Sequence, residues 1–154
     1  MIRFFGGRVM TLANGIETQD IEVWTEGSKI VFVGKPKAEE LDGKVFEREY
    51  DLKGNLLMPS FKNAHTHSAM TFLRSYADDM PLQDWLFKQI FPMEAKLDGE
   101  KVYWLTKLAI LEYLTTGCTA AFDMYFELDD YVKACVESGF RSVLCGAVSG
   151  DKSN

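Results

Sequence analysis

The sequence predicts an α/β protein in which a small β unit precedes parallel strands that are covered by helices. Short alternating strands, separated by turn residues, fill the first 57 residues. After Pro59, apolar strands and helical stretches follow one another in the order β, α, β, α, β, which is typical of a parallel sheet covered by helices. A composition of 47% hydrophobic and 26% charged residues is that of a globular chain with a buried core.

Residues 1–57 are predicted to form a mostly antiparallel β unit. Alternation of Ile21 with Val23, and of Ile30 with Phe32, indicates strands with one buried and one solvated face. The strands are expected at 8–12, 20–25, 29–34, 45–52 and 54–57, with turns at Asn14-Gly15 and Glu26-Gly27-Ser28 and a polar loop over 35–44.

Residues 58–154 are predicted to contain about three βα units. The strands are expected at 61–67, 119–124 and 141–147, and the helices at 81–91, 100–116 and 129–138. Pro81 suits a first helical turn, Pro92 ends or restarts that helix, and Gly117 and Gly139 close the other two. In the longest helix a wide apolar face is expected, formed by Val102, Leu105, Leu108, Ala109, Leu111 and Leu114. These patterns fit the opening of a (β/α) barrel and of a doubly wound sheet equally.

Charge and cysteine content exclude several classes of protein. A net charge of -6, without runs of Lys or Arg, argues against nucleic acid and anionic membranes as partners. Cys118, Cys135 and Cys145 are odd in number and lack Cys-x-x-Cys spacing, so we expect reduced thiols and a cytoplasmic location. We expect neither export nor membrane insertion, because there is no signal-peptide pattern and no apolar run of about 18 residues.

The two histidines of the chain both lie in the tripeptide His65-Thr66-His67, at the end of a predicted strand. Side chains at i and i+2 of a strand project to the same face, so the two imidazoles can bind one metal ion together. Taken alone, the tripeptide fits two exposed histidines at a strand end equally well.

The residues around this tripeptide resemble the amidohydrolase superfamily. The resemblance rests on MPSFKNAHTHSAMTFLR at 58–74, ADD at 77–79 and DMY at 123–125. Within that superfamily, PLQDWL at 81–86 and IFPME at 90–94 are similar to the S-adenosylhomocysteine/methylthioadenosine deaminases and their chlorohydrolase relatives.

This resemblance implies the N-terminal part of a (β/α)8 TIM-barrel metal hydrolase, preceded by part of a small β-sandwich. His65 and His67 would be metal ligands at the carboxyl end of the first barrel strand. Zinc is the first choice of metal and ferrous iron the second, because imidazole binds both. The other ligands and the proton-shuttling Glu of such enzymes come from later strands, so this chain alone is expected to be inactive.

The resemblance also indicates residues for a small-molecule substrate, an aminated purine nucleoside. Glu94 matches the acidic residue that accepts hydrogen bonds from the ribose hydroxyls. Trp85 is a second candidate, although packing between helix and barrel is the favoured interpretation. Asp78 and Asp79 match a loop of the family and equally fit caps of the next helix. Asp123 is expected to hydrogen-bond a neighbouring loop.

Two positions depart from the family pattern. Ser60 replaces the usual Gly, which a negative φ would tolerate. Gly146 stands where some adenosylhomocysteine deaminases have an Arg that binds the substrate carboxylate, so methylthioadenosine, adenosine or another aminated ring become candidates.

Guanine deaminase and s-triazine chlorohydrolase activities remain alternatives. A non-catalytic, truncated paralogue that serves in assembly is an alternative of another class, and a homo-oligomer is left open.

We expect the intact gene product to be longer than 154 residues. A complete eight-stranded barrel needs roughly 250 residues, and fewer than 100 follow residue 58. Three parallel strands cannot close a barrel, so the remainder of the same chain is expected to cover their open edge. Intact mass spectrometry checks this. A mass corresponding to 154 residues, together with a stable monomeric fold, would contradict the expectation.

Overall fold

The computed structural model describes residues 1–13 and 15–146. Within them the chain divides into two compact units, Met1–Pro59 and a second that begins at Ser60. Asn14 of the first predicted turn and Ala147 of the last predicted strand lie outside the described residues. In the described part, no helix is both long enough and apolar enough to cross a membrane.

The first unit consists of two sheets and one short helix. Its elements are β1 (Ile2–Phe5), β2 (Arg8–Thr11), β3 (Glu17–Gln19), β4 (Glu22–Glu26), β5 (Lys29–Gly34), the short helix α1 (Ala38–Leu41), β6 (Arg48–Asp51) and β7 (Leu56–Leu57). The strand orders are β5-β4-β1-β6 and β3-β2-β7. Three of the strand pairs are antiparallel, while β1–β6 and β2–β7 are parallel.

Three elements of this unit were not expected: β1, β3 and α1. β1 is held by its neighbours, since Arg3 donates to Glu22 at 2.6 Å and to Glu49 at 3.0 Å across the adjoining strands. β3 is fully exposed and carries no apolar signal. The expected burial of Ile30 was wrong, because its side chain is 67% exposed on an edge strand.

The second unit is built on three parallel strands covered by helices. Its elements are β8 (Phe61–Thr66), a 3-10 helix (Ser68–Leu73), α2 (Leu82–Asp84), a π-helix (Trp85–Ile90), α3 (Phe91–Glu94), α4 (Gly99–Thr115), β9 (Cys118–Tyr125), α5 (Leu128–Ser138) and β10 (Arg141–Gly146). The strands are in the order β8-β9-β10. This confirms the predicted alternation of parallel strands and helices.

The core of this unit lies between one face of the sheet and helices α4 and α5. Alternate residues of β9 are buried, and on the other face Phe122 and Met124 are exposed. The core consists of Ala69, Val102, Ile110, Ala121, Tyr125, Tyr131, Cys135 and Phe140. All three cysteines are free thiols, as expected. Since the strands are parallel, their carboxyl ends meet at one edge, where the loops can form a site.

The helical run over 82–94 differs from the regular helix that was expected at 81–91. Pro81 precedes the first turn rather than lying in it. The amide of Phe91 donates to the carbonyl of Leu86, five residues earlier, so the middle of the run is a π-helix. Pro92 has no N–H for the regular ladder, and it is the second residue of α3, which begins at Phe91. Of the two expectations for Pro92, a restart of the helix fits this position.

Helix α4 buries a narrower face than its composition indicates. Val102, Ala109 and Ile110 are buried, whereas Leu108, Leu111 and Leu114 are exposed. The wide apolar face that was expected is therefore only partly buried within the described residues. The apolar positions extend over more of the helix circumference than the sheet and α5 cover. Gly117 and Gly139 follow α4 and α5 with φ of 81° and 64°, as expected of residues that end helices.

Neighbouring positions on α4 test this assignment of the core. In the full-length protein, Ile110→Ala is expected to lower the free energy of unfolding by about 2–5 kcal/mol, because it removes a buried side chain and leaves a cavity. Leu111→Ala is the matched control, since Leu111 is 59% exposed, and its effect should stay within about 0.5 kcal/mol. Urea unfolding measures both. Equal losses would mean that the face of α4 buried in the full-length protein is wider than the face assigned here.

Candidate metal centre and substrate cleft

The two histidine rings lie side by side at the carboxyl end of β8. Their centroids are 5.0 Å apart and their planes are inclined at 84°. His65 is exposed and His67 is half-buried. The structure thus brings together the two side chains that the i, i+2 spacing pairs. That they bind a metal stays a prediction.

The hydrogen bond of His67 determines which ring nitrogen has a lone pair available for a ligand. Nδ1 lies 2.8 Å from the carbonyl oxygen of Met124. A carbonyl only accepts, so Nδ1 carries the hydrogen, and in the neutral ring Nε2 then has a free lone pair. A backbone carbonyl that orients a ligating imidazole in this way is common at metal sites.

The donor set supplies half of a tetrahedral site. Two neutral imidazoles suit zinc, which takes four ligands from nitrogen, sulfur and oxygen. Among residues 1–13 and 15–146, no group of three or more His, Cys, Asp or Glu side chains is placed to hold a metal ion. The residues present fit a metal that has further ligands elsewhere.

Buried polar contacts anchor the backbone on both sides of His67. The fully buried carboxylate of Asp123 accepts from the amide of Ser68 at 3.3 and 3.2 Å. The Tyr113 hydroxyl lies 2.6 Å from Thr66 Oγ1 and 2.9 Å from Ser68 Oγ. The expectation that Asp123 bonds a neighbouring loop is confirmed. Tyr113 was missed, because it lies on α4 among core residues and has no local signal.

A cleft of about 830 Å³ opens beside His67, between the strand ends and the helical run 82–94. Most of its lining is apolar. Its ionisable residues, besides His67 and Tyr125, are the carboxylates Glu94 and Glu127, and the described lining contains no Lys or Arg. The remaining lining residues are Met70, Trp85, Leu86, Ile90, Phe91, Ala95, Leu97, Val102, Met124, Phe126 and Gly146.

Glu94 is held in this cleft by Tyr125, at the end of β9. The Tyr125 hydroxyl donates to Glu94 Oε1 at 2.9 Å, and Tyr125 is 3% exposed. Burial raises the pKa of Tyr125 above its usual value, and the hydrogen bond to Glu94 and the charges of Glu94 and Asp123 raise it further. The phenol therefore remains a donor. Sequence reasoning assigned Tyr125 no role, since an aromatic residue at a strand end is typical of a core.

Of the remaining candidate residues, Trp85 lies in the cleft, whereas Asp78 and Asp79 do not. Trp85 is half-buried and lines the cleft with Glu94. Asp78 and Asp79 are exposed and lie outside the cleft lining. Neither caps the next helix, because Pro81 precedes α2 and no side chain caps it.

The two departures from the family pattern are both explained locally. Ser60 is absent from the residues with positive φ, as expected, and its Oγ lies 2.5 Å from Thr119 Oγ1. Gly146 lies in the cleft at the end of β10, and a Cβ there would meet Leu128 Cδ1 at 3.1 Å. Some adenosylhomocysteine deaminases have an arginine at the position of Gly146, and the described lining of this cleft has no cation there.

Parallel strands with helices on one face and a cleft at their carboxyl ends define this unit as the opening of a (β/α) barrel. Residues 56–153 match the amidohydrolase family. The chain belongs to that family.

Comparison with known proteins also identifies individual relatives. The chain is 42% identical over 133 residues to a 5-methylthioadenosine/S-adenosylhomocysteine deaminase of Desulfitobacterium hafniense, covering 86% of this chain and 31% of that protein. It is 56% identical over 94 residues to a 5'-deoxyadenosine deaminase of Methanospirillum hungatei, covering 61% and 21%. The crystal structure of an adenosine deaminase from Xanthomonas campestris with bound zinc is similar with a TM-score of 0.85 and 33% identity, covering 92% and 33%. The chain spans at most about a third of the length of these proteins.

Proposed function

We propose that the protein containing this chain is a metal-dependent hydrolytic deaminase of adenosine-like nucleosides. One observation carries the proposal: His67, with Nε2 free, opens onto the cleft that holds Glu94. The names of the relatives at 42% and 56% identity support an adenosine derivative as substrate. Because of these names, we rank guanine and s-triazines below adenosine derivatives as candidate substrates.

In the proposed reaction, water replaces the amino group of the purine ring and ammonia leaves. A divalent metal ion would supply Lewis-acid activation of that water. We assign the metal to His65 and His67, with zinc first, in line with the zinc-bound structural relative. The contact of His67 with Met124 orients the ring before substrate arrives. The chain alone is proposed to be inactive, since the proton-transferring residue and the remaining ligands would come from later strands.

Substrate binding is assigned to the side of the cleft opposite the strand ends. Glu94 would accept hydrogen bonds from the two ribose hydroxyls, because a carboxylate has two acceptor oxygens. Trp85 and Phe91 would provide apolar surface for the rest of the nucleoside. Together these residues would orient the ring with its amino group toward the histidines.

The described lining favours a nucleoside whose 5′ end carries no carboxylate. Glu94 and Glu127 line the cleft without a described Lys or Arg, so the described residues offer the carboxylate of an amino-acid substituent no opposite charge. We therefore place 5′-deoxyadenosine and methylthioadenosine ahead of S-adenosylhomocysteine.

Metal content tests the histidine pair. In the full-length protein, His65→Ala and His67→Ala are each expected to lower bound zinc or iron and the deamination rate together, because each removes one ligand. Lys62→Ala, on the same strand but bonded to Ser60 instead, is the control and should retain its metal. Elemental analysis gives the result. A histidine variant that keeps both metal and rate would show that the tripeptide is structural.

Substrate preference tests the cleft. With the full-length, metal-loaded protein, kcat/KM for 5′-deoxyadenosine and methylthioadenosine is expected to exceed that for S-adenosylhomocysteine at least about tenfold, a difference of about 1.4 kcal/mol. Ammonia release measures the rates. A preference for the carboxylate-bearing substrate would refute the charge argument. A metal-free full-length protein that releases no ammonia would favour the non-catalytic paralogue.

A further inference from the structure

We propose that Tyr125 is a positioning residue for substrate recognition: it holds the carboxylate of Glu94 in the orientation that accepts the ribose hydroxyls. The inference rests on the proposed function, because it concerns how Glu94 meets its ligand. It adds a residue from the sheet to a binding group that lies on the helical side of the cleft.

The two partners differ in how firmly they are held. Tyr125 ends β9, is 3% exposed and belongs to the core that includes Val102 and Tyr131. Glu94 is half-buried at the last position of α3, a four-residue helix that follows the π-helix. The tyrosine is therefore the fixed partner, and the glutamate is the one that is oriented.

The hydrogen bond between Tyr125 and Glu94 is also the polar contact that crosses the cleft. Within residues 1–13 and 15–146, no other hydrogen bond joins the run 82–94 to a strand of the sheet. The loop before this run contains Ser75, Ala77 and Asp79, all with positive φ, a backbone conformation that costs free energy in residues other than glycine. Packing of Ile90, which is 1% exposed, holds the run itself, and the contact with β9 sets the direction of the Glu94 carboxylate.

The chemistry of the pair leaves Glu94 able to bind a diol. The phenol donates one hydrogen to Oε1. Oε2 and the second lone pair of Oε1 remain free, which is enough for two hydroxyl donors. The buried phenol stays protonated, because burial and the neighbouring carboxylates raise its pKa. Without the phenol, the carboxylate would have to be ordered by the substrate, at a cost in affinity.

The test is a kinetic comparison of full-length variants on two substrates. Tyr125→Phe keeps the buried ring and removes only the hydroxyl. With 5′-deoxyadenosine its KM is expected to rise about tenfold, with kcat within about twofold. With the analogue that also lacks the 2′ and 3′ hydroxyls, KM should not change. Tyr103→Phe is the matched control, because Tyr103 donates to Glu137 at 2.5 Å outside the cleft lining, and it should leave both KM values unchanged.

Variants of Glu94 provide a second set of kinetic measurements. Glu94→Asp draws the carboxylate back from the phenol and from the ribose hydroxyls alike, so it tests the binding role of Glu94. Its KM should rise for 5′-deoxyadenosine and not for the analogue without the hydroxyls. In a Glu94→Ala background, adding Tyr125→Phe should change KM no further. Circular dichroism of each variant reports its folding.

The outcomes separate the two proposals. If the wild-type protein deaminates no adenosine-like nucleoside, the proposed function fails and this inference fails with it. If the wild-type protein is active, the inference alone is overturned by an unchanged KM in Tyr125→Phe, or by a further rise in KM when Tyr125→Phe is added to Glu94→Ala. It is also overturned by an equal rise in KM for the substrate that lacks the hydroxyls, since that rise would mark a structural role.

Discussion

The parallel pairing of β8 with β9 is the constraint on which the site depends. Thr66 is aligned with Asp123, so the loop that follows β8 lies over the end of β9. There the Asp123 carboxylate accepts from the amide of Ser68, and the Met124 carbonyl accepts from the ring of His67. One residue further on, Tyr125 reaches Glu94. Three consecutive residues of β9 therefore organise both sides of the cleft, and a slip of one residue would reverse their faces.

Much of this arrangement follows from local sequence. The face shared by His65 and His67 follows from strand geometry, and the parallel order follows from apolar strands that alternate with helices. The helix ends at Gly117 and Gly139 follow from the need for positive φ after a helix. Each of these features depends on residues that lie close together along the chain.

What the sequence missed depends on contacts between distant residues. β1 is held by the ion pairs of Arg3 with other strands, and the partners of Tyr113 and Tyr125 lie 31 or more residues away. The π-helix before Pro92 is a matter of hydrogen-bond register, which composition does not reveal. Local patterns thus located the ligand candidates, while the groups that orient them required the fold.

The close approach between Gly146 and Leu128 bears on which side chains position 146 can accept. The first side-chain carbon of any other residue would lie 3.1 Å from Leu128 Cδ1, so the end of the leucine would have to give way by a few tenths of an ångström. A longer side chain at the end of β10 is therefore coupled to the packing of the first residue of α5.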